Sequence, residues 1–224
     1  MGLTKLQTSE RCAKTFASDP ILGVILTIST GSFIYCRPNS DKRIERNYKV
    51  GDEDVRIEQV CCCIGKAHAY TLNHKLGIIS IEVDPAIAWL EAEVPKVPPL
   101  LCAFSYSLVE SCGDILLVRS SHLSVISHIV EFEVYKMNVG MMIWEEVHSL
   151  GDVVIFIGDR SSASCSATDL GIEGNHIFLA KENDRSLCIY SMDRGTIYVD
   201  LPCPNVHPPW QLADSFLGNS SLFH

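Results

Sequence analysis

The sequence predicts an all-β fold, a partial or small β-propeller of four-stranded antiparallel blades, and three observations carry that reading. Short runs of β-branched and aromatic residues alternate with turn-forming clusters along most of the chain. The stretch from Trp144 to Asp200 is the clearest. Its runs Val153 to Ile157, Ser164 to Ala167, Ile177 to Ala180, Leu187 to Tyr190 and Thr196 to Val199 are separated by Gly, Asp, Asn and Ser. They read as a meander of short antiparallel strands, and none has the length or the 3.6-residue period of a helix. The third observation is recurrence. An apolar strand after a glycine, a polar loop, a strand ending near Val83, Tyr135 or Tyr190, and an outer strand return every ~40–50 residues, the period of propeller blades.

In chain order, residues 1–20 are polar and mixed, with at most a helical turn around Arg11 to Phe16. Val24 to Ile28 and Phe33 to Cys36 flank Ser29-Thr30-Gly31-Ser32 as a hairpin. After a turn at Pro38 to Asp41, Ile44 to Val50 reads as an edge strand. Arg56 to Cys63 and Ala67 to Leu72 are the next two strands. Gly77 to Val83 follows, with Ile79, Ile81 and Val83 alternating against Ser80 and Glu82, which marks one buried face. Trp89 to Val94 is a fourth strand, and Pro95, Pro98 and Pro99 break the chain after it. The next unit holds Tyr106 to Glu110, Ile115 to Arg119, Glu131 to Met137 and Ile143 to Val147, with Ser120 to Ser127 as a polar loop. Ile115 to Val118 is apolar without alternation, so both its faces should be covered. Glu131-Phe132-Glu133-Val134 alternates as an outer strand would, which makes Glu133 a solvent-facing, replaceable residue.

One blade has two apolar faces and cannot bury them alone. Stacked radially, each covers its neighbour, and only ring closure covers the two ends. Propellers typically take four to eight blades, and 224 residues supply three clear blades plus a partial one at ~40–45 residues each. An incomplete ring would leave apolar faces and strand edges open, so self-association is expected unless Trp210 to Leu217 folds back as a cover. A two-sheet sandwich is the all-β alternative, disfavoured by the likeness of the repeats.

Composition narrows the function. With 47% hydrophobic and 20% charged residues and a mean hydropathy of +0.16, the chain can bury a core. A net charge of −9 argues against non-specific nucleic-acid binding, which needs a basic footprint. The cluster Lys42, Arg43, Arg46 and Lys49 is interrupted by Glu45 and reads as a solvated loop. The first fifteen residues lack the apolar core of a signal peptide, and Leu6 stands where a myristoylation signal wants Ser or Thr. Ile21 to Leu26 is far too short to span a bilayer. The Asn219-Ser220-Ser221 sequon has nothing to route it to secretion. An intracellular protein, cytoplasmic or nuclear, is expected, with its ten cysteines as free thiols acting mostly as small hydrophobes.

No residue is assigned a catalytic, cofactor-binding or metal-ligating role. There is no G-x-S-x-G elbow, and Ser161 to Ser164 resembles a β-turn between two strands. His68, His148 and His176 sit within or beside strands, without a nucleophile motif. Adjacent strand residues point to opposite faces, so in Cys61-Cys62-Cys63 only Cys61 and Cys63 could share a metal, and zinc sites want a second pair that is missing. Gly171-Ile172-Glu173-Gly174 lacks the lysine and following helix of a phosphate cradle. Trp89, Trp144 and Trp210 could stack sugars, but packing between blades is the better reading.

Residues in one order carry a family resemblance. Trp144, Val147 to Asp152, Ile155 to Gly158, Ser164 to Ala167 and Gly174 to Phe178 resemble the C-terminal signature of the plant DUF295 family, the KIB-type β-propellers, many of which are F-box proteins. Ser18-Asp19-Pro20, Tyr35 to Pro38, Gly65 to Tyr70, Leu108 to Val118 and Phe132 to Lys136 fit upstream. A glycine and a tryptophan that the family pattern places after Pro38 are replaced by Asn39 and the Ile44 region. The resemblance implies a protein-interaction scaffold, in F-box members the substrate-recognition part of a Skp1–cullin ubiquitin ligase, and a non-enzyme. It divides the chain into an N-terminal segment 1–20, a propeller portion 21–203 and a tail 204–224. Residues 1–20 are too short and polar for an F-box, so a Skp1-type adaptor is not an expected partner; the protein partner itself is open, and neither nucleic acid nor membrane is expected. Two alternatives stand beside this: a small-ligand or enzymatic propeller with a site at the ring axis, and a degenerate family member without activity.

Overall fold

The computed structural model describes residues 24–29, 32–36, 43–49, 56–64, 66–80, 86–92, 95, 102–123, 128–158, 161–180 and 187–200. These form four sheets in chain order. The first holds β1 (Val24–Ser29), β2 (Ser32–Cys36) and β3 (Arg43–Asn47), and the second β4 (Ile57–Cys63), β5 (Lys66–Thr71), β6 (Leu76–Ser80) and β7 (Ala86–Leu90). The third holds β8 (Cys102–Ser111), β9 (Asp114–Leu123), β10 (His128–Asn138) and β11 (Ile143–Val147). All three are antiparallel meanders, strand beside next strand. The fourth comprises β12 (Val153–Ile157), β13 (Ser162–Ser166), the short helix α1 (Ala167–Leu170), β14 (His176–Ala180), β15 (Leu187–Ser191) and β16 (Thr196–Asp200). The sequence predicts three clear four-stranded blades plus a partial one; among the described residues the sheets have three, four, four and five strands in chain order.

The sheets stack in series, and each interface is an apolar cluster. Ile44 of β3 and Tyr48 just after it meet Ile57, Val60, Ala67, Ala69 and Ile79 of the second sheet. The Trp89 indole closes that interface by donating to the Lys49 carbonyl at 2.6 Å. It lies across Gly77, its register partner, where any Cβ would collide with the indole ring. From the other face of the second sheet, Cys61, Cys63, Tyr70 and Leu76 pack on Leu108, Ile115, Leu117, Tyr135 and Met137 of the third. The third sheet's opposite face sends Val109, Leu116, Val118, Phe132 and Val134 against Ile155, Ile157, Ile177, Cys188 and Tyr190 of the fourth. Strand periodicity explains the division, since odd and even positions of β9 go to different clusters, and all four of Ile115 to Val118 are buried.

Several expectations change. The fourth sheet is no plain meander: its order is β13-β12-β14-β15-β16, and β12 runs parallel to β14. A parallel neighbour requires a crossover, and α1 provides part of it. Ser166 caps its start by accepting from the Asp169 N–H, and Gly171, at φ 66°, ends it in the left-handed region. Four residues are too few to leave a helical period in a sequence. Ser162 to Ser166 is a strand, where a turn was expected at Ser161 to Ser164. Ser120 to Leu123, expected as the start of a loop, continue β9 and pair with β8; the rest of that loop, residues 124–127, lies outside the described ones. The strand expected at Trp89 to Val94 begins by Ala86 and ends at Leu90. Finally, β10 is not an outer strand: it lies between β9 and β11.

Candidate functional site

Polar side chains gather in two places. The first ties the loop before β12 to α1, β14 and the turn after β15. Asp152, on an exposed loop, accepts from the Ser166 hydroxyl at 2.7 Å, the Thr168 hydroxyl at 2.7 Å and the Thr168 N–H at 3.0 Å. Those donors, the Ser166 and Thr168 hydroxyls first, hold its carboxyl below the usual range. Asn175, buried and left-handed at φ 61°, accepts from the Leu150 N–H at 2.6 Å and donates to Asp193 at 2.6 Å. Its neighbour Gly174 lies against the backbone of Gly151 and Asp152 so closely that no side chain fits. The conspicuous sequence pieces Leu150-Gly151-Asp152, Ser164 to Ala167 and Gly174-Asn175-His176 therefore meet in space. Their hydrogen bonds run to one another, and what they make is a clasp that fixes the crossover.

The second gathering lies between the second and third sheets. Arg119 of β9 is 1% exposed in its side chain and makes two 2.6 Å hydrogen bonds to Glu133 of β10, its register partner. Its guanidinium also donates to the Tyr135 hydroxyl at 2.7 Å, and that hydroxyl donates to Glu133 at 3.0 Å. The guanidinium stands 5.2 Å over the Tyr135 ring and 5.5 Å over Phe104. Burial opposes its charge, but the Glu133 hydrogen bonds and the facing tyrosines raise its pKa above the ordinary arginine value. Across the interface, Tyr70 and His74 are hydrogen-bonded at 3.1 Å, and the His74 ring stands on Tyr106 at 4.7 Å. Burial first, then the Arg119 charge, lowers the His74 pKa. The cluster is a neutralised ion pair in an aromatic setting. Glu133, expected to face solvent, is in fact the counter-ion of a buried arginine, because β10 has a blade on each side.

The other residues singled out in the sequence fall into packing roles. Cys61 and Cys63 share the buried face and Cys62 the opposite one; the Cys63 thiol donates to the Gly113 carbonyl at 3.1 Å, and burial raises its pKa. Cys61, Cys62, Cys63, Cys112, Cys165 and Cys188 are free thiols. His68 Nδ1–H donates to the Lys66 carbonyl at 3.1 Å, with burial lowering its pKa. His176 bonds the Gly174 carbonyl, and His148 is exposed. Trp144 stands edge-on to Tyr70 at 6.4 Å, between blades as expected; Trp210 lies outside the described residues. Among the described residues no three His, Cys, Asp or Glu side chains are placed to hold a metal ion, and no helix is long and apolar enough to cross a membrane.

With the internal sheet faces taken up by stacking, the accessible groups lie in the turns and at exposed strand positions such as Glu58, Glu131 and Tyr198. Six large apolar side chains are exposed among the described residues: Ile64, Leu72, Val139, Met141, Ile172 and Tyr198. Tyr198 lies in β16; the other five sit in turns or loops, where a lone apolar residue has no periodicity to signal its exposure.

A family model described as the KIB1-4 beta-propeller matches residues 10–191. Two similar proteins of Arabidopsis thaliana are both named for an F-box. One is 39% identical over 75 residues, 33% of this chain and 20% of its own length. The other is 30% identical over 136 residues, 54% of this chain and 33% of its own length. The chain thus matches a third or less of the length of these relatives.

Proposed function

The chain belongs to the KIB1-4 β-propeller family, and on that premise we propose that it is a non-catalytic protein-interaction scaffold, akin to the substrate-recognition propeller of F-box proteins. The observation that supports this reading is the saturation of its polar clusters: Asp152 and Asn175 in the clasp, and Arg119 and Glu133 between blades, all have their partners within the protein. A stacked scaffold with satisfied interior groups offers its turns, and turns suit recognition of another protein. Residues 21–203 form the propeller portion, flanked by 1–20 and 204–224, in an intracellular setting, cytoplasmic or nuclear.

The test is cross-linking capture from a plant extract followed by a binding isotherm with each recovered protein. A saturable complex supports the reading, and the absence of any saturable protein ligand overturns it. We expect the chain alone not to engage a Skp1-type adaptor, because residues 1–20 are too short and polar for the ~40–50 amphipathic helical residues of an F-box. A saturable adaptor complex at micromolar concentration would refute that. The end blades of an incomplete ring should make the isolated chain self-associate, so a monodisperse monomer in light scattering would show that its ends are covered.

A further inference from the structure

The β4–β5, β8–β9 and β10–β11 turns form an apolar patch at one end of the stack. Ile64, between the register partners Cys63 and Lys66, is 79% exposed and has φ 47°. A β-branched residue in the left-handed region is strained, and an isoleucine in water gains nothing from burial. The combination points to a use outside the fold. Its side chain leans on the next blade, 3.8 Å from where a Cβ on Gly113 would stand. Beside Gly113 are the exposed Cys112, left-handed at φ 51°, and Asp114, which binds Lys136 of β10 at 2.6 Å. Two strand positions beyond Lys136, β10 enters the turn that carries Val139 and Met141, 56% and 66% exposed. In a meander the first and third turns lie at the same end, so Ile64, Cys112, Val139 and Met141 share one surface.

We infer that this surface binds a short extended segment of a partner protein, one that presents an aliphatic or aromatic side chain beside a lysine or arginine. The inference rests on the reading of the chain as an interaction scaffold. Four residues fall well short of the roughly 20–30 a side in a stable protein–protein interface, which favours a peptide segment over a second copy of the chain. Asp114 and Lys136 offset each other, which leaves Glu110, bonded to the Gly113 N–H, and Glu145, bonded to Asn138, against Lys66 beside the patch, in a chain of net charge −9, so a basic flank on the ligand is matched.

Ile64→Asn combined with Met141→Ser tests it. Asparagine tolerates the left-handed region, so the variant should melt at or above the wild-type temperature. Both proteins are titrated with synthetic fluorescent 12-mers having a central Leu-Phe pair flanked by lysine, the same pair flanked by glutamate, or serines in its place. Wild type should bind the lysine-flanked apolar peptide at least tenfold more tightly than the other two, and the folded variant should lose that preference. Equal binding of all three peptides, or equal binding by both proteins, overturns the inference. Capture from extract separates the two readings. Partners retained equally by wild type and variant would sink the surface and leave the scaffold standing, whereas no saturable partner for either would remove the scaffold reading itself.

Discussion

The two faces of the β8–β11 sheet are built from the same strands and solve burial differently. Toward the fourth sheet the buried cluster holds only apolar side chains with no ion pair among them: Val109, Leu116, Val118, Phe132 and Val134. Toward the second sheet Leu108, Ile115 and Leu117 share the space with Arg119, Glu133 and Tyr135. An apolar face gains from every contact and tolerates small shifts. An ion pair between blades must first recover the cost of leaving water, and it does so only through the two Arg119–Glu133 bonds and the Tyr135 hydroxyl that complete it. The lesson is that burial by itself does not rank residues; the consequence of losing a partner does.

Four experiments sharpen or break this comparison. The largest effect should come from a charge placed in either apolar cluster. Leu117→Asp on one side and Ile155→Asp on the other leave an unpaired carboxylate among fully buried neighbours. Each should cost several kcal/mol against a stability of about 5–15, enough to abolish the cooperative transition in urea. A folded Leu117→Asp protein would mean that the second and third sheets do not close on each other.

Next comes Glu133→Lys, which sets two cations together and should cost ~3–5 kcal/mol. The triple change Arg119→Met, Glu133→Leu, Tyr135→Phe removes the whole network and should restore most of that loss, because well-packed apolar groups of similar size replace a buried pair at little cost. Urea midpoints decide it. If Glu133→Lys were silent, Glu133 would face water as its sequence setting suggested.

Smaller losses are expected at the edge of β8, where the Ser162 and Ser164 hydroxyls donate to the Leu108 and Glu110 carbonyls at 2.6 and 2.8 Å. Ser162→Ala and Ser164→Ala should each cost about 1 kcal/mol and should slow no other part of the fold, a point that amide exchange on β8 can check.

The smallest effect is pH dependence. Burial holds His68 and His74 below the ordinary 6.5, with the Arg119 charge adding to the shift at His74. The unfolded chain therefore takes up protons first as pH falls through 6.5, and their contribution to stability is complete above that value and declines below it, until the lowered folded pKa values are passed. His74 sits at φ 64°, which asparagine also adopts, so His74→Asn should flatten the acid slope of the melting temperature without straining the turn. An unchanged slope would place the His74 ring in contact with bulk water.

The sequence by itself determined the strand class, most strand positions, the count of three blades and a partial one, and the burial of Ile115 to Val118 on both faces. Period-two patterns, continuous apolar runs and turn residues are local signals, so the chain states them without its fold. It also carried the family signature, whose pieces could be ordered although their meeting could not be seen. Tertiary structure alone decided that Asp152, Ser166, Thr168 and Asn175 clasp one crossover, that β12 and β14 run parallel, and that Glu133 points at an arginine rather than at water. A glutamate alternating with apolar residues has the same pattern on a solvated strand as between two blades. Only the arrival of the neighbouring sheet, fixed by contacts distant in sequence, settles which side is dry.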